Sequence, residues 1–249
     1  MAKTPLKPEA IFKEITADFK NAFEDELISI ILYGSGARQD YTPGRSDINF
    51  LIVLTPKGID NLFGAVDAVV KWKKRNVATP LFMTWEDIRA SLDSFPVEFL
   101  NMKWQHVPVY GEDILAALVF PSEPLRLQIE REFKAKILHL RKGLMETEGR
   151  EKRLRQLIRV SLTALAALFE AMLHLKNIEV PKTRRGIFQA AAEAFAVDAA
   201  LFMKCEDIRE GKDRLSSAEI RSLFIEYLKE VSRTSDIIDH LASEHQPEY

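Results

Sequence analysis

The feature that most constrains the fold is an apolar run at 27–33, Leu-Ile-Ser-Ile-Ile-Leu-Tyr, which ends at Gly34-Ser35-Gly36. The run is short, rich in β-branched residues and closed by small residues, which predicts a buried strand followed by a tight turn. A second run of the same kind occupies 48–54 and is closed by Pro56 and Gly58. Two strands of this kind require a sheet with helices packed on it.

The rest of the first half alternates between helical and strand patterns. Apolar residues recur at every fourth position between Pro8 and Phe23, which predicts a helix with one apolar face that packs on the first strand. The later elements predicted in this half are a helical segment at 59–70, a strand at 81–83, a helix that starts at Thr84 with Asp87 as its capping partner, and a fourth strand within 99–110.

The pattern changes near Pro121 and Pro124, after which only long helical patterns occur. They predict four helices with short connections, which favours an antiparallel bundle. The fold class expected is therefore α+β: a small mixed sheet with helices at 1–120, followed by an all-α helical bundle at 121–249. The predicted helices of the bundle are 125–148, 151–176, 186–205 and 216–243, the last with a capping box formed by Ser216 and Glu219.

Charge and composition limit the classes of partner. The formal net charge is −2, which argues against a protein whose whole surface holds a nucleic-acid backbone. The basic segments 71–75 and 150–159 are expected to be solvated helix faces, so we do not expect a nucleic-acid partner.

No stretch of eighteen or more uncharged apolar residues is present to span a bilayer, and the N-terminus has no apolar signal core, so we expect a cytoplasmic protein without a membrane partner. Cys205 is the only cysteine and lies in an apolar helical pattern, which is typical of a small buried hydrophobic residue.

One segment carries the residue types of a binding site. A buried strand that ends in Gly34-Ser35 leaves main-chain N–H groups at a turn where a phosphate can approach closely. If a helix opens at 37–39, its N-terminal end points at the same place. Asp47 and Asn49 are two apart at the start of the next strand, so their side chains project from one face and can share Mg²⁺ with phosphate oxygens.

Taken together, Gly34-Ser35 and Asp47-Ile48-Asn49 entering an apolar strand resemble the signature of the nucleotidyltransferase superfamily. That superfamily includes DNA polymerase beta, kanamycin nucleotidyltransferase and the small antitoxin-type nucleotidyltransferases. The helical second half resembles the bundles of the kanamycin nucleotidyltransferase or HEPN type that accompany such domains.

The resemblance implies a role for each of these residues. Gly34 and Ser35 would contact the β- and γ-phosphates of a nucleoside triphosphate, and Asp47 would hold Mg²⁺ with Asn49 as the second ligand. A hydroxyl group of a small-molecule or protein acceptor would attack the α-phosphorus, and pyrophosphate would leave.

The sequence departs from the family pattern in its acids. Asn49 stands where the signature has a second Asp, and its amide oxygen is neutral. The third family acid is expected near 79–84, which contains no acid, so Glu98 is the best substitute among the nearby acids and the candidate catalytic residue.

This incomplete set leaves turnover open. The alternative is a catalytically degenerate nucleotide-binding or interaction module, toxin–antitoxin-like in role. The acceptor, the preferred base and the oligomeric state, including a homo-oligomer, are left open.

In the helical half, Arg233 and His240 have a spacing similar to that of HEPN-type ribonucleases, although an exposed polar helix face is the simpler interpretation.

Overall fold

The structure is a computed structural model that describes residues 4–37, 41–44 and 46–243. Its internal contacts divide the chain into two compact units, Met1–Phe120 and Pro121–Tyr249. The division falls where the sequence pattern changes from alternating strands and helices to helices alone.

The first unit contains four strands and five α-helices among its described residues. Short 3-10 turns at Pro8–Ile11, Glu24–Glu26, Gly34–Gly36, Leu62–Ala65 and Leu115–Ala117 connect them. In chain order the regular elements are α1 (Phe12–Phe23), β1 (Leu27–Tyr33), β2 (Asn49–Leu54), α2 (Pro56–Asp60), α3 (Val66–Lys73), β3 (Leu81–Met83), α4 (Trp85–Ala90), α5 (Pro96–Trp104) and β4 (His106–Gly111).

The four strands form one mixed sheet in the order β3-β2-β1-β4. β1 pairs antiparallel with β2 on one side and with β4 on the other, and β3 pairs parallel with β2. The predicted fold class, a small mixed sheet with helices followed by a helical half, is confirmed.

Alternation along the two inner strands supplies a core on each face of the sheet. Ile30 and Leu32 of β1 belong to the core that α1 and α3 cover, together with Phe50 of β2. Ile31 and Leu51 belong to the opposite core, which is completed by α4, α5 and the turn at Leu115–Ala117. The inner strands are buried on both faces, which explains why their sequences read as continuous apolar runs.

The fourth strand is shorter than predicted. Residues 96–104 form α5 instead, because Pro96 occupies the first turn, where its missing N–H costs nothing. Phe99 and Leu100 are buried at helical spacing. Only His106–Gly111 pairs with β1.

The outer strands have distinct features. β3 has only three residues, and β4 carries an exposed Pro108. Gly111 ends β4 with φ of +76°, and a Cβ built on it would lie 1.9 Å from the carbonyl oxygen of Ile28.

The second unit is helical throughout its described regular structure. Helices α6 (Ser122–Glu146) and α7 (Glu151–Leu175) are joined by a short loop and run antiparallel, and α10 (Ser217–Ser243) packs on α6. The capping box predicted at Ser216 and Glu219 is confirmed. The remaining helices are α8 (Arg184–Phe195), α9 (Ala199–Glu210) and α10 (Ser217–Ser243).

The helix predicted at 186–205 is divided into α8 and α9, so the prediction of four helices was wrong. Ala196 has φ of +53°, a left-handed conformation that ends α8. Asp198 then accepts a hydrogen bond from the N–H of Leu201 and caps the new helix. An Asp at an N-cap was the overlooked sequence signal.

By length and composition α7 could cross a membrane, but 61% of its most apolar window is buried inside the structure. Burial of this kind is equally typical of the core helix of a helical bundle.

Candidate functional site

The turn after β1 is open beside β2. Gly34 has φ of +71°, a conformation that glycine adopts without strain. A Cβ built on Gly34 would lie 3.5 Å from Nδ2 of Asn49. The missing side chain therefore leaves the main chain of the turn uncovered next to Asn49.

Ser35 and Asp47 lie next to each other across the two strand ends. The Ser35 hydroxyl donates to the main-chain carbonyl of Asp47 at 3.4 Å, and Asn49 Nδ2 donates to the same oxygen at 3.5 Å. Both bonds are long and therefore weak. Their geometry nevertheless brings Gly34, Ser35, Asp47 and Asn49 into one cluster at one end of the sheet.

Asn49 lies on the face of the sheet that α4 and α5 cover. On β2, residues two apart share a face, so Asn49 lies on the same side as Leu51 and Val53, whose side chains belong to the core there. Asp47 directly precedes this stretch and is exposed, so its carboxylate is accessible to a ligand.

The cluster offers few ligands to a bound Mg²⁺. Among residues 4–37, 41–44 and 46–243 there is no group of three His, Cys, Asp or Glu side chains that could hold a metal. Asp47 supplies one carboxylate, and Asn49 supplies at most a neutral oxygen. This set fits a cation that arrives with triphosphate oxygens, because Mg²⁺ is commonly held by one or two carboxylates plus substrate phosphates.

The position expected for a third acid is neutral. β2 and β3 pair in parallel with Leu51 opposite Leu81, so Thr79 approaches the level of Asn49 on the neighbouring segment. Thr79 is exposed and carries no charge.

Glu98 lies on a helix, in the first turn of α5. It is exposed and lines a groove of about 530 Å³ between β3, α4 and α5. Its assignment as a catalytic residue stays a prediction. The helix expected to open at 37–39 also stays a prediction, since Arg38 and Gln39 lie outside the described residues.

His106 is a feature of this region that the sequence did not reveal. It begins β4 opposite Tyr33, the residue before Gly34. Its Nδ1 lies 2.7 Å from the carbonyl oxygen of Lys103, and its Nε2 lies 2.8 Å from Asp113. Only the pairing of β1 with β4 brings His106 close to Gly34 in the fold, so no spacing in the sequence could have indicated it.

Tyr33 and Asn49 occupy neighbouring positions on β1 and β2, so Tyr33 lies between Asn49 and His106 across three strands. Burial raises the pKa of the Tyr33 phenol above its ordinary value.

The first basic segment considered for nucleic-acid binding makes contacts within its own unit. Lys71 contacts Glu14 and Asp18, and Arg75 contacts Glu14. The Trp72 indole N–H also donates to Asp18. These contacts attach the segment to α1.

In the second unit, Arg155 of the basic segment 150–159 pairs with Glu151 and Asp213. Arg233 pairs with Glu230 and donates to the carbonyl oxygen at the end of α8, at Ala196. Arg233 thereby connects α10 to the end of α8, and the interpretation of the Arg233 and His240 pair stays a prediction.

No protein-family model matches the chain, and no curated protein matches it. Among solved structures, the chain is similar to spectinomycin adenyltransferase AAD(9) from Enterococcus faecialis, whose crystal structure contains ATP and spectinomycin. The sequence identity is 13%, the match covers 91% of this chain and 99% of that chain, and the TM-score is 0.49. A similarity of this size assigns neither an activity nor a substrate to the chain.

Proposed function

We propose that the first unit binds a nucleoside triphosphate together with one Mg²⁺, in the manner of the nucleotidyltransferase superfamily. The observation that carries the proposal is the contact between Ser35 and Asp47. It places a glycine-containing turn and an exposed carboxylate at one point, which is what a triphosphate with its cation requires.

Each residue of the cluster has a separate task in this proposal. The turn at Gly34–Gly36 offers main-chain N–H groups to phosphate oxygens, and the Ser35 hydroxyl adds a side-chain donor. Asp47 would hold the cation that the nucleotide brings, and Asn49 orients the main chain of Asp47. When bound, Mg²⁺ would neutralise charge on the phosphate oxygens.

The reaction that such a site supports is transfer of a nucleoside monophosphate to a hydroxyl group of a small-molecule or protein acceptor. The acceptor oxygen forms a bond to the α-phosphorus, the bond from that phosphorus to the bridging oxygen breaks, and pyrophosphate leaves. A role for Glu98 in accepting the hydroxyl proton requires an acceptor bound in the groove that Glu98 lines.

The second candidate is a nucleotide-binding module without turnover. The neutral side chains of Asn49 and Thr79 favour it, because a positioned general base contributes about 10²- to 10⁴-fold to rate. Loss of the general base would lower the rate of transfer and leave nucleotide binding intact.

Calorimetry with each nucleoside triphosphate and Mg²⁺ tests binding, and transfer of label to a panel of acceptors tests turnover. We expect binding in the wild type and at least about tenfold weaker binding in Asp47→Ala, a loss of about 1.4 kcal/mol. Asp60→Ala is the matched control, because Asp60 is an exposed acid at the end of α2. Equal binding by Asp47→Ala and the wild type would overturn the proposal, and binding without label transfer would select the second candidate.

A further inference from the structure

Helix α3 is apolar on two opposite sides. Its inner side packs into the core through Trp72, and Ala65 of the preceding 3-10 turn is buried in the same core. On its outer side Phe63 is 90% exposed, and Val66 and Val70 are each 48% exposed. A helix that is apolar all round is typical of a buried position, so the outer row indicates contact with a further element.

The outer row, the α3 stripe, consists of Phe63, Val66 and Val70. These residues are separated by three and four positions, which is the spacing of contact residues in paired helices. The 3-10 turn Leu62–Ala65 leads directly into α3, so Phe63 continues the row. A narrow row of this kind fits the side of one facing helix.

Charges of opposite sign lie along one edge of the α3 stripe. Asp67 and Lys74 are seven positions apart and therefore lie on the same edge. Both are exposed, and neither forms an ion pair with another described residue. Lys71 and Arg75, by contrast, bind acids of α1. This edge thus offers an acid near its start and a base at its end.

A second copy of α3 complements this order of charges. When a two-fold axis reverses the second copy, Asp67 comes opposite the partner's Lys74, and Val66 comes opposite the partner's Val70. A parallel pair would place Asp67 against the partner's Asp67, which is unfavourable. A two-fold contact uses the same surface on both copies, so each favourable pair occurs twice.

We propose that two copies of this chain associate through the α3 stripe, with the two α3 helices antiparallel and Asp67 of each copy paired with the partner's Lys74. A helix of eight residues covers less than the roughly 800 Å² per partner of a standard interface. The association is therefore weak, with a dissociation constant on the order of 10–100 µM. Asn49 lies on the opposite face of the sheet, so the contact is independent of nucleotide binding.

Sedimentation equilibrium of the full chain, from about 5 to about 500 µM, tests the association. We expect a reversible monomer–dimer equilibrium in the wild type and at least about tenfold weaker association in Phe63→Ser, which removes the largest side chain of the stripe. Val119→Ser is the control, because Val119 is also strongly exposed but lies outside α3, and it should associate like the wild type. A wild type that stays monomeric throughout, or a dimer that Phe63→Ser leaves unchanged, would overturn the proposal.

The charge pairing is tested with Asp67→Lys and Lys74→Asp. Each variant alone places like charges opposite each other in both halves of the dimer, so we expect at least about threefold weaker association. An equal mixture of the two variants restores opposite charges and should associate about as tightly as the wild type. Asp93→Lys, at an exposed acid between α4 and α5, is the control. Equal association of Asp67→Lys and Asp93→Lys, or no gain on mixing, would refute the pairing.

The direction of the helices is tested by cross-linking. Cys205 is buried, so cysteines introduced as Val66→Cys and Val70→Cys are the reactive ones. We expect oxidation of a mixture of the two variants to give mainly the disulfide between different variants, because Val66 comes opposite the partner's Val70 in the antiparallel arrangement. Disulfides that form mainly between identical variants would overturn it.

Discussion

The hydroxyl of Ser35 lies 3.4 Å from the main-chain oxygen of Asp47 and donates to it, so the turn after β1 is tied to the residue before β2. Asn49 Nδ2 donates to the same oxygen at 3.5 Å. The main chain of Asp47 is thereby held by two side chains, and its own carboxylate is left exposed for a ligand.

Asn49→Asp should strengthen Mg²⁺-dependent triphosphate binding, because a second carboxylate beside Asp47 outweighs the loss of the long, weak hydrogen bond that Asn49 donates to the Asp47 carbonyl. We expect affinity for the Mg²⁺–ATP complex to rise about tenfold, equivalent to about 1.4 kcal/mol. Calorimetry with and without Mg²⁺ measures the change. Asn61→Asp alters the net charge equally at an exposed position and is the control. An affinity equal to that of the control would show that Asn49 does not face the cation.

Gly111→Ala should destabilise the first unit severely, because its Cβ would lie 1.9 Å from the carbonyl oxygen of Ile28. Gly44 has nearly the same φ, +75°, but a Cβ there would meet nothing within 4 Å. Gly44→Ala therefore carries only the left-handed strain, about 1–2 kcal/mol. We expect Gly111→Ala to cost more than about 3 kcal/mol in urea unfolding. Similar losses in both variants would mean that β4 does not approach β1 as closely as described.

Asp87 should stabilise the first unit in a pH-dependent way. Its pKa is lowered from the ordinary 3.8, mainly by the hydrogen bond from the Thr84 N–H. The stabilisation is therefore fully present above the unfolded pKa near 3.8, and it is lost as the pH falls through the lower folded pKa. Because the side chain is exposed, we expect at most about 1 kcal/mol after solvent screening.

Urea unfolding of the wild type and Asp87→Asn at pH 7, 4.5 and 3 measures this contribution. The difference in unfolding free energy should be largest at pH 7 and should shrink at pH 3. The control is Glu86→Gln. Glu86 is the other acid in the first turn of α4, and the capping box is formed by Asp87 and not by Glu86. A difference that grew towards acid pH would contradict the described hydrogen bond.

Ala196→Gly should stabilise the second unit, because Ala196 ends α8 with φ of +53°. Glycine removes the left-handed strain, and part of this gain is offset by the greater freedom of the unfolded chain, which leaves about 0.5–1 kcal/mol. Ala192→Gly within α8 should instead destabilise by about 0.5–1 kcal/mol. Thermal unfolding of both variants measures the contrast. A loss of stability in Ala196→Gly would mean that α8 and α9 are continuous.

Much of the first unit could be predicted because its signals are local. The run at 27–33 has the bounds of β1, and the box of Thr84 and Asp87 starts α4 as expected. The proximity of Ser35 to Asp47 also followed from sequence, since a strand end and the start of the next strand meet when the two pair.

The failures have physical causes. Val97, Phe99 and Leu100 are apolar enough for a strand. They lie instead in α5, where Pro96 occupies the first turn, and β1 pairs only with His106–Gly111. The left-handed Ala196 that ends α8 is not predicted by propensity, so the N-cap Asp198 is the only local signal of the break. His106 and the groove beside β3 depend on contacts between distant segments, so no local pattern contains them.

The edges of the sheet bear on how the chain behaves at high concentration. An extended partner strand needs a run of unpaired N–H and C=O groups, and β3 offers only three residues. On the opposite edge, Pro108 has no N–H to donate and interrupts any added ladder. Both margins are thus poor templates for cross-β growth, although the two inner strands between them are strongly apolar.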